Sequence, residues 1–292
     1  MLEKIKLLFC IISGIAIKIY WSIKGIDSLV NLERSFSDRD IIVSLASYGR
    51  RAERVVYYTI ISLFLQKKKP NRIILWLDAD NWNDNNLPKR IKKLKEKGLE
   101  ICFSDNQLKS YKKLVPTRIN CPANIIITVD DDIFYPNNLI ENLYKEHLNN
   151  PNSVIASYGK IPEADENNIL LPYNSWKFVS RANGKAAMAI GYGGVLYPPN
   201  SLHRDFSNYV IFKQICPLAD DIWFWVMEIL NHTDCVIANS ERLTLYPIDL
   251  GQYIGHRKDS LAAVNVRNDY NDVQIRELFK RYSLGINDAL KR

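Results

Sequence analysis

The sequence predicts an α/β chain built on a mostly parallel sheet. Three observations carry that expectation. Short apolar, β-branched runs begin near residues 41, 72, 99 and 124, and stretches with helical patterning separate them. Those starts lie 25 to 31 residues apart, the spacing of repeated strand–helix–strand units. Acidic residues follow directly on two of the runs, where open parallel sheets bind their ligands.

In order, Ile41 to Ala46 reads as a first strand, and Ser47 to Arg51 turns into a helix reaching about Gln66. Lys67 to Lys69 suit that helix's C-terminal dipole, and Pro70 ends it. Arg72 to Leu77 is a second strand, closed by Asp78-Ala79-Asp80. Leu87 to Lys97 reads as a helix with Gly98 as its cap, and Leu99 to Phe103 as a third strand. Ile125 to Val129 is the fourth strand, apolar enough to be buried on both faces. The second half is less regular: a helix over Asn138 to Leu148, a strand over Val154 to Tyr158, and a polar loop over Lys160 to Asn168. A glycine-rich turn at Gly191 to Gly194 then leads into a short strand, and helices are expected from Asp220 and over Asp272 to Tyr282. With no repeat or linker after residue 40, residues 38–292 read as one domain.

Hydrophobic residues at 47% and charged residues at 24% describe an ordinary globular chain. The net charge of +7 fits a phosphate-bearing substrate or an anionic membrane surface. A nucleic-acid partner is not expected, because no zinc-finger or RNA-recognition motif is present. Five scattered cysteines with no CxxC pair argue for reduced thiols, against a disulfide framework or a zinc site.

Residues 1–30 differ in kind. Leu7 to Ile17 is apolar apart from Ser13 and Gly14, with Lys4 and Lys6 before it and Lys18 and Lys24 after it. Eleven residues fall short of the about 20 needed to cross a bilayer. The favoured reading is a helix lying on a membrane with its lysines at the headgroups. A signal peptide and a helix packed on the domain are its rivals, the former lacking an A-x-A cleavage site.

The chemistry centres on Asp130-Asp131-Asp132, which follows the fourth strand with no basic residue among them. Adjacent carboxylates repel, and a hard divalent cation is the usual reason to gather them. Asp220-Asp221 could supply a general base. Arg50, Arg51, Lys109, Lys112 and Lys113 could meet a diphosphate, whose departure a metal would assist as Lewis acid.

On these residues the chain resembles the GT-A-fold glycosyltransferases of bacterial surface-polysaccharide synthesis, whose DXD motif the acid triplet matches. The likeness extends over roughly residues 40 to 285. As in exostosin-type enzymes, a leucine-and-basic segment ending in proline precedes the triplet, here Leu108 to Pro116. Gly193-Gly194-Val195 and Asp220-Asp221-Ile222 follow in the same order. The resemblance implies a GT-A (Rossmann-like) catalytic domain and transfer from a nucleotide sugar, UDP-linked, to a hydroxyl of a glycan or lipid-linked glycan. It implies Mn2+ or Mg2+ held by Asp130 and Asp132, with His256 completing the shell, and Asp131 touching nucleotide or sugar. Ser47 and Arg50 would line the nucleotide pocket and Asp78 would face the base. Gly193 and Gly194 would let the backbone approach the sugar, and Asp221, supported by Asp220, would be the catalytic carboxylate. The place of work would be the cytoplasmic face of the cell membrane.

Plainer rivals stand beside these roles. Asp220 and Asp221 could cap a helix, Asp78 could be a turn acid, and the arginines and lysines could be solvated. Gly193-Gly194 could mark a bulge. His147, His203 and His232 read as structural, and Trp223, Phe224 and Trp225 as core, with one of them able to stack on a sugar. The alternative functions are a metal-dependent nucleotidyl- or phosphoryltransferase, although no P-loop or kinase motif is present, and a non-catalytic glycan- or nucleotide-binding module. Retention or inversion at the anomeric carbon stays open.

Overall fold

The computed structural model describes residues 2–32, 40–104, 106–180, 188–238, 245–249 and 269–290. The chain divides into two compact units, Met1–Asn142 with Leu243–His256, and Leu143–Arg242 with Arg257–Arg292. The sequence reading had one domain over residues 38–292.

The first unit opens with helix α1 (Leu2–Lys24). Its main strands are β1 (Ile41–Ala46), β2 (Arg72–Asp78), β3 (Leu99–Ser104) and β4 (Ile125–Thr128). They lie side by side in the order β4-β1-β2-β3, all parallel. Such strands are covered on both faces, which is why β1 and β4 read as continuous apolar runs. Parallel pairing needs crossovers. These are α2 (Gly49–Arg54) with α3 (Val56–Phe64), α4 (Lys89–Glu96), and α5 (Val115–Asn120), which carries Pro116 in its first turn, where a missing N–H costs nothing. Val55, at φ −118° and ψ −56°, breaks the single expected helix into α2 and α3. On β2 and β3, Arg72 and Glu100 form a two-pronged ion pair at 2.7 and 2.8 Å. Two strands of two residues, β5 (Ile133–Phe134) and a later Tyr246–Pro247, pair antiparallel. Pieces so short carry no readable period, and neither is in the sequence reading.

Helix α1 is 23 residues long, twice the apolar run seen in the sequence, and its inner face is docked on this unit. Gly14 is the reason it comes so close, since a Cβ there would lie 2.1 Å from the carbonyl oxygen of Pro247. Trp21 is buried, and the Ser22 and Tyr58 hydroxyls are 2.7 Å apart. No described helix is long and apolar enough to cross a membrane.

Helix α6 (Leu139–Asn149) leads into the second unit. There β6 (Val154–Ala156) pairs antiparallel with a strand over Val195–Tyr197 and parallel with one over Cys235–Ile237. Three further short strands, Gly159–Ile161, Lys177–Val179 and Met188–Ala189, form an antiparallel sheet; the first overlaps the start of the polar loop expected over Lys160 to Asn168, and the other two lie beyond it. Helices α7 (Tyr209–Ile215), α8 (Asp220–Leu230), α9 (Tyr270–Tyr282) and α10 (Ile286–Leu290) complete the unit. Trp223, Phe224 and Trp225 are all buried. Trp225 meets Trp176 and Phe279 at ring separations of 5.4 and 5.8 Å, so these aromatics are core and none is placed to stack on a ligand. The α/β class, with mostly parallel main strands flanked by helices, is what the structure shows.

Candidate functional site

Parallel registers bring strand ends to one edge. Ser44 of β1 pairs with Thr128 of β4, and Ala46 with Trp76 of β2, so Ser47, Asp78 and the 130–132 turn all leave the sheet at its carboxyl edge. That edge is where open sheets bind ligands.

The acid turn is fastened from several sides. The Thr59 hydroxyl donates to the Asp131 carbonyl at 2.9 Å, and the Asp130 N–H donates to the Tyr135 hydroxyl at 3.0 Å. The Ile248 N–H donates to the Asp132 carbonyl at 2.7 Å. Ser62 accepts from the Tyr135 N–H at 3.1 Å, and the Gln66 amide bonds Pro136 O and Ile140 N. Thr59, Ser62 and Gln66 stand at i, i+3 and i+7, a polar stripe on an otherwise apolar helix. That spacing was a usable signal that a loop is strung against α3, and the sequence reading did not take it up.

The side chains are as firmly engaged. Arg51, in α2 after the first strand, reaches Asp131 at 2.9 Å, Asp132 at 3.0 Å and Asp249 at 3.2 Å. Burial works against its charge, but these carboxylates together with Tyr48 hold the guanidinium above its usual range. Lys113 reaches Asp130 at 3.0 Å. Asp131 is 3% exposed and also accepts from the Ser47 hydroxyl at 2.5 Å. Burial pushes its carboxyl up, against the opposing pull of Arg51 and Ser47.

Several expectations are corrected here. Asp131 points inward, so it supports the turn and cannot touch a nucleotide with its carboxylate. Ser47 is buried and spends its hydroxyl on Asp131, so it does not line a pocket. Arg51 turns to the acids, while Arg50 is exposed. Asp78 and Lys112 form a buried ion pair with each other, so Asp78 is not turned to a base nor Lys112 to a diphosphate. Lys109 is exposed at φ 47° and ψ −127°, a kink between two 3-10 turns, and Lys113 is the lysine that meets the acids. Asp249, distant in sequence, was not foreseen. His256 lies outside the described residues.

The donor set was read as a cation site, and the structure shows internal cations doing part of that neutralising. Among the described residues, Arg51 pairs with Asp131, Asp132 and Asp249, and Lys113 with Asp130. Carboxylate oxygens are hard donors of the kind Mg2+ or Mn2+ takes. Among the described residues, no group of three His, Cys, Asp or Glu is placed to hold a metal ion. Were a cation bound at this turn, Asp130 and Asp132 would be its protein ligands, with substrate phosphates or water completing the shell, as is usual for Mg2+.

In the second unit, Asp220 and Asp221 open α8, where the helix dipole favours acids, and Asp220 is buried. Asp221 accepts from the Gly191 N–H at 3.0 Å. Burial first, then Asp221 and Asp272, push the nearby Tyr173 hydroxyl's pKa up. The glycines have a packing cause rather than a demonstrated sugar contact. A Cβ at Gly193 would lie 2.2 Å from the Tyr158 ring, and Gly194 has φ 90°. That close approach lets Tyr158 sit between Tyr192 (5.2 Å, 10° between planes) and Phe178 (5.6 Å, 25°). Tyr192 and Phe178 remain exposed as the outer leaves of the stack. Gly193→Ala is expected to cost about 1–3 kcal/mol by displacing that ring, measurable by urea denaturation.

No family model matches the chain, and no curated protein matches it in sequence. Similar solved structures include S. aureus TarS 1-349, at 10% identity over 84% of this chain and 72% of that one, with a TM-score of 0.45. Inositol-1-phosphate CTP transferase from T. maritima is 8% identical over 84% of this chain and 98% of that one, with a TM-score of 0.44. CMP:2-keto-3-deoxy-manno-octonic acid synthetase complexed with CTP is 12% identical over 68% and 88%, with a TM-score of 0.41. At such scores the likeness carries no chemistry across to this chain.

Proposed function

We propose that the chain is a metal-dependent GT-A-type glycosyltransferase, moving a sugar from a nucleotide donor, UDP-linked, to a hydroxyl of a bacterial surface glycan carried on lipid. One observation carries the reading: an acid turn at the carboxyl edge of parallel strands is fixed by a dedicated hydrogen-bond network and gathers three carboxylates there against Arg51 and Lys113. A turn that served only as a connection would need neither.

Asp130 and Asp132 are assigned to the cation, which when bound supplies Lewis-acid charge at the donor diphosphate. Lys113, which pairs with Asp130, is assigned to the diphosphate. Asp131, Ser47 and Arg51 position the turn. In the second unit Asp221 is assigned to the acceptor hydroxyl, with Asp220 behind it at the start of α8. Tyr192 follows Gly191, whose N–H binds Asp221, so its exposed ring is assigned to the acceptor sugar by face-on stacking. Tyr192→Ala is expected to raise the acceptor KM about two- to tenfold while leaving donor binding unchanged, since aromatic stacking contributes roughly 0.5–1.5 kcal/mol.

The test is turnover of a panel of nucleotide sugars with Mn2+ or Mg2+, for the wild type and Asp130→Asn. Metal-dependent release of nucleoside diphosphate, lost in the variant, supports the reading. Pyrophosphate release from a nucleoside triphosphate and a sugar phosphate would assign a nucleotidyltransferase instead. Nucleotide binding with no turnover on any donor would assign a binding module.

A further inference from the structure

Helix α1 has two apolar faces, and the fold uses one. The inner face carries Gly14 and Trp21 and docks on the first unit. On the outer face, Leu8, Ile12, Ile15, Ile19 and Ile23 follow one another at i, i+4, i+7, i+11 and i+15, a continuous stripe. Each is between 38% and 82% exposed, and Phe9 and Tyr20 widen the stripe. A globular surface seldom leaves so many large aliphatic side chains in one row facing water.

Its immediate neighbour is strongly basic. Helix α4 exposes Lys89, Arg90, Lys92, Lys93 and Lys95. The Tyr58 hydroxyl ties the two helices together, bonding Ser22 of α1 at 2.7 Å and accepting from Arg90 of α4 at 2.9 Å. The chain leaving α1 is held along α4's far end, with the Lys97 ammonium donating to Leu29 O at 3.1 Å and the Leu32 N–H to Lys97 O at 2.9 Å. Apolar stripe and cationic helix are thus fixed within one rigid neighbourhood.

We propose that this surface docks on an anionic lipid bilayer, α1 lying in the plane of the interface and α4 meeting the headgroup phosphates. The helix is too polar to cross a membrane, its free stripe is the shape an interfacial helix buries, and the cations beside it match anionic headgroups. A second copy of the chain would present the same cations beside the stripe rather than an anionic surface to meet them, so self-association through this face lacks the charge match that a bilayer offers. The docked helix also braces the site: Gly14 and Lys18 contact Pro247 and Ile248, beside Asp249 and the N–H that holds Asp132. None of this depends on the transferase reading.

The experiment is co-sedimentation of the full chain with vesicles of phosphatidylcholine, alone or mixed with phosphatidylglycerol. The expected result is pelleting with the mixed vesicles that weakens as salt is added. Ile12→Glu/Ile19→Glu, at exposed positions, should lower the partition coefficient about tenfold or more with an unchanged melting temperature. Lys92→Glu/Lys93→Glu should abolish the preference for phosphatidylglycerol. The proposal is overturned if the wild type stays in the supernatant, if neither variant changes pelleting, or if light scattering without lipid shows a dimer that Ile12→Glu/Ile19→Glu dissolves.

Discussion

Arg51→Met is expected to destabilise the protein by about 3–5 kcal/mol, the cost of leaving buried charge without its partner. One guanidinium serves Asp131, Asp132 and Asp249, and all four side chains are at least four-fifths buried. Methionine fills similar volume, so the loss is electrostatic rather than a cavity. The sign of its pH dependence follows from Asp131. Burial already raises that carboxyl, and removing Arg51 takes away the main opposing pull. A carboxyl raised in the folded state favours folding below its unfolded pKa, and that contribution disappears as pH rises through the folded pKa. The Arg51→Met deficit should therefore be largest near neutrality and shrink toward acid pH. Urea denaturation at pH 7.5 and 4.5 reads both effects, and Arg51→Met/Asp131→Asn should recover part of the loss, because the neutral amide needs no cation. A single variant as stable as the wild type at neutral pH would mean that the acids do not depend on Arg51.

The parallel half of the fold was legible because its strands are buried on both faces. Ile41 to Ala46, Arg72 to Asp78 and Ile125 to Thr128 announce themselves as apolar runs with turn residues after them, and the regular spacing implies crossovers. In the second unit the strands at Val154 and after Gly194 were legible, but Gly159–Ile161, Lys177–Val179, Met188–Ala189 and Cys235–Ile237 were not, since no period can be read from pieces that short. At the site, the acid triplet was visible but its internal partners were not. Arg50 and Arg51 are adjacent, and only the α2 geometry decides which one turns inward. Asp249 arrives from almost 120 positions downstream of Asp131, a juxtaposition that no local pattern encodes. Asp78 and Lys112 each look like site residues alone, and a buried pair removes both. The glycines are a subtler case. Their presence before a short strand was evident, but the cause is a ring: Gly193 leaves the space in which Tyr158 lies between Tyr192 and Phe178.

Asp221→Asn is expected to lower kcat by about 10²–10⁴, the range over which a positioned general base acts. The substitution is nearly isosteric, and the amide oxygen can still accept from the Gly191 N–H now bound at 3.0 Å, so the turn presenting Tyr192 should survive. The donor is assigned to Asp130, Asp132 and Lys113 and not to Asp221, so nucleotide affinity measured by calorimetry should stay within about twofold, and the melting temperature should not move. A fall in kcat with affinity and stability intact separates a chemical role from the helix-capping role that Asp221's place in the first turn of α8 would equally allow. If Asp221 is the base that takes the acceptor proton, the residual product of the variant and the product of the wild type share one anomeric configuration, inverted relative to the donor, which proton NMR of the anomeric signal reads directly. Full activity in Asp221→Asn, or loss of activity accompanied by an equal loss of stability, would assign this carboxylate to the fold and leave the acceptor's base to be found elsewhere.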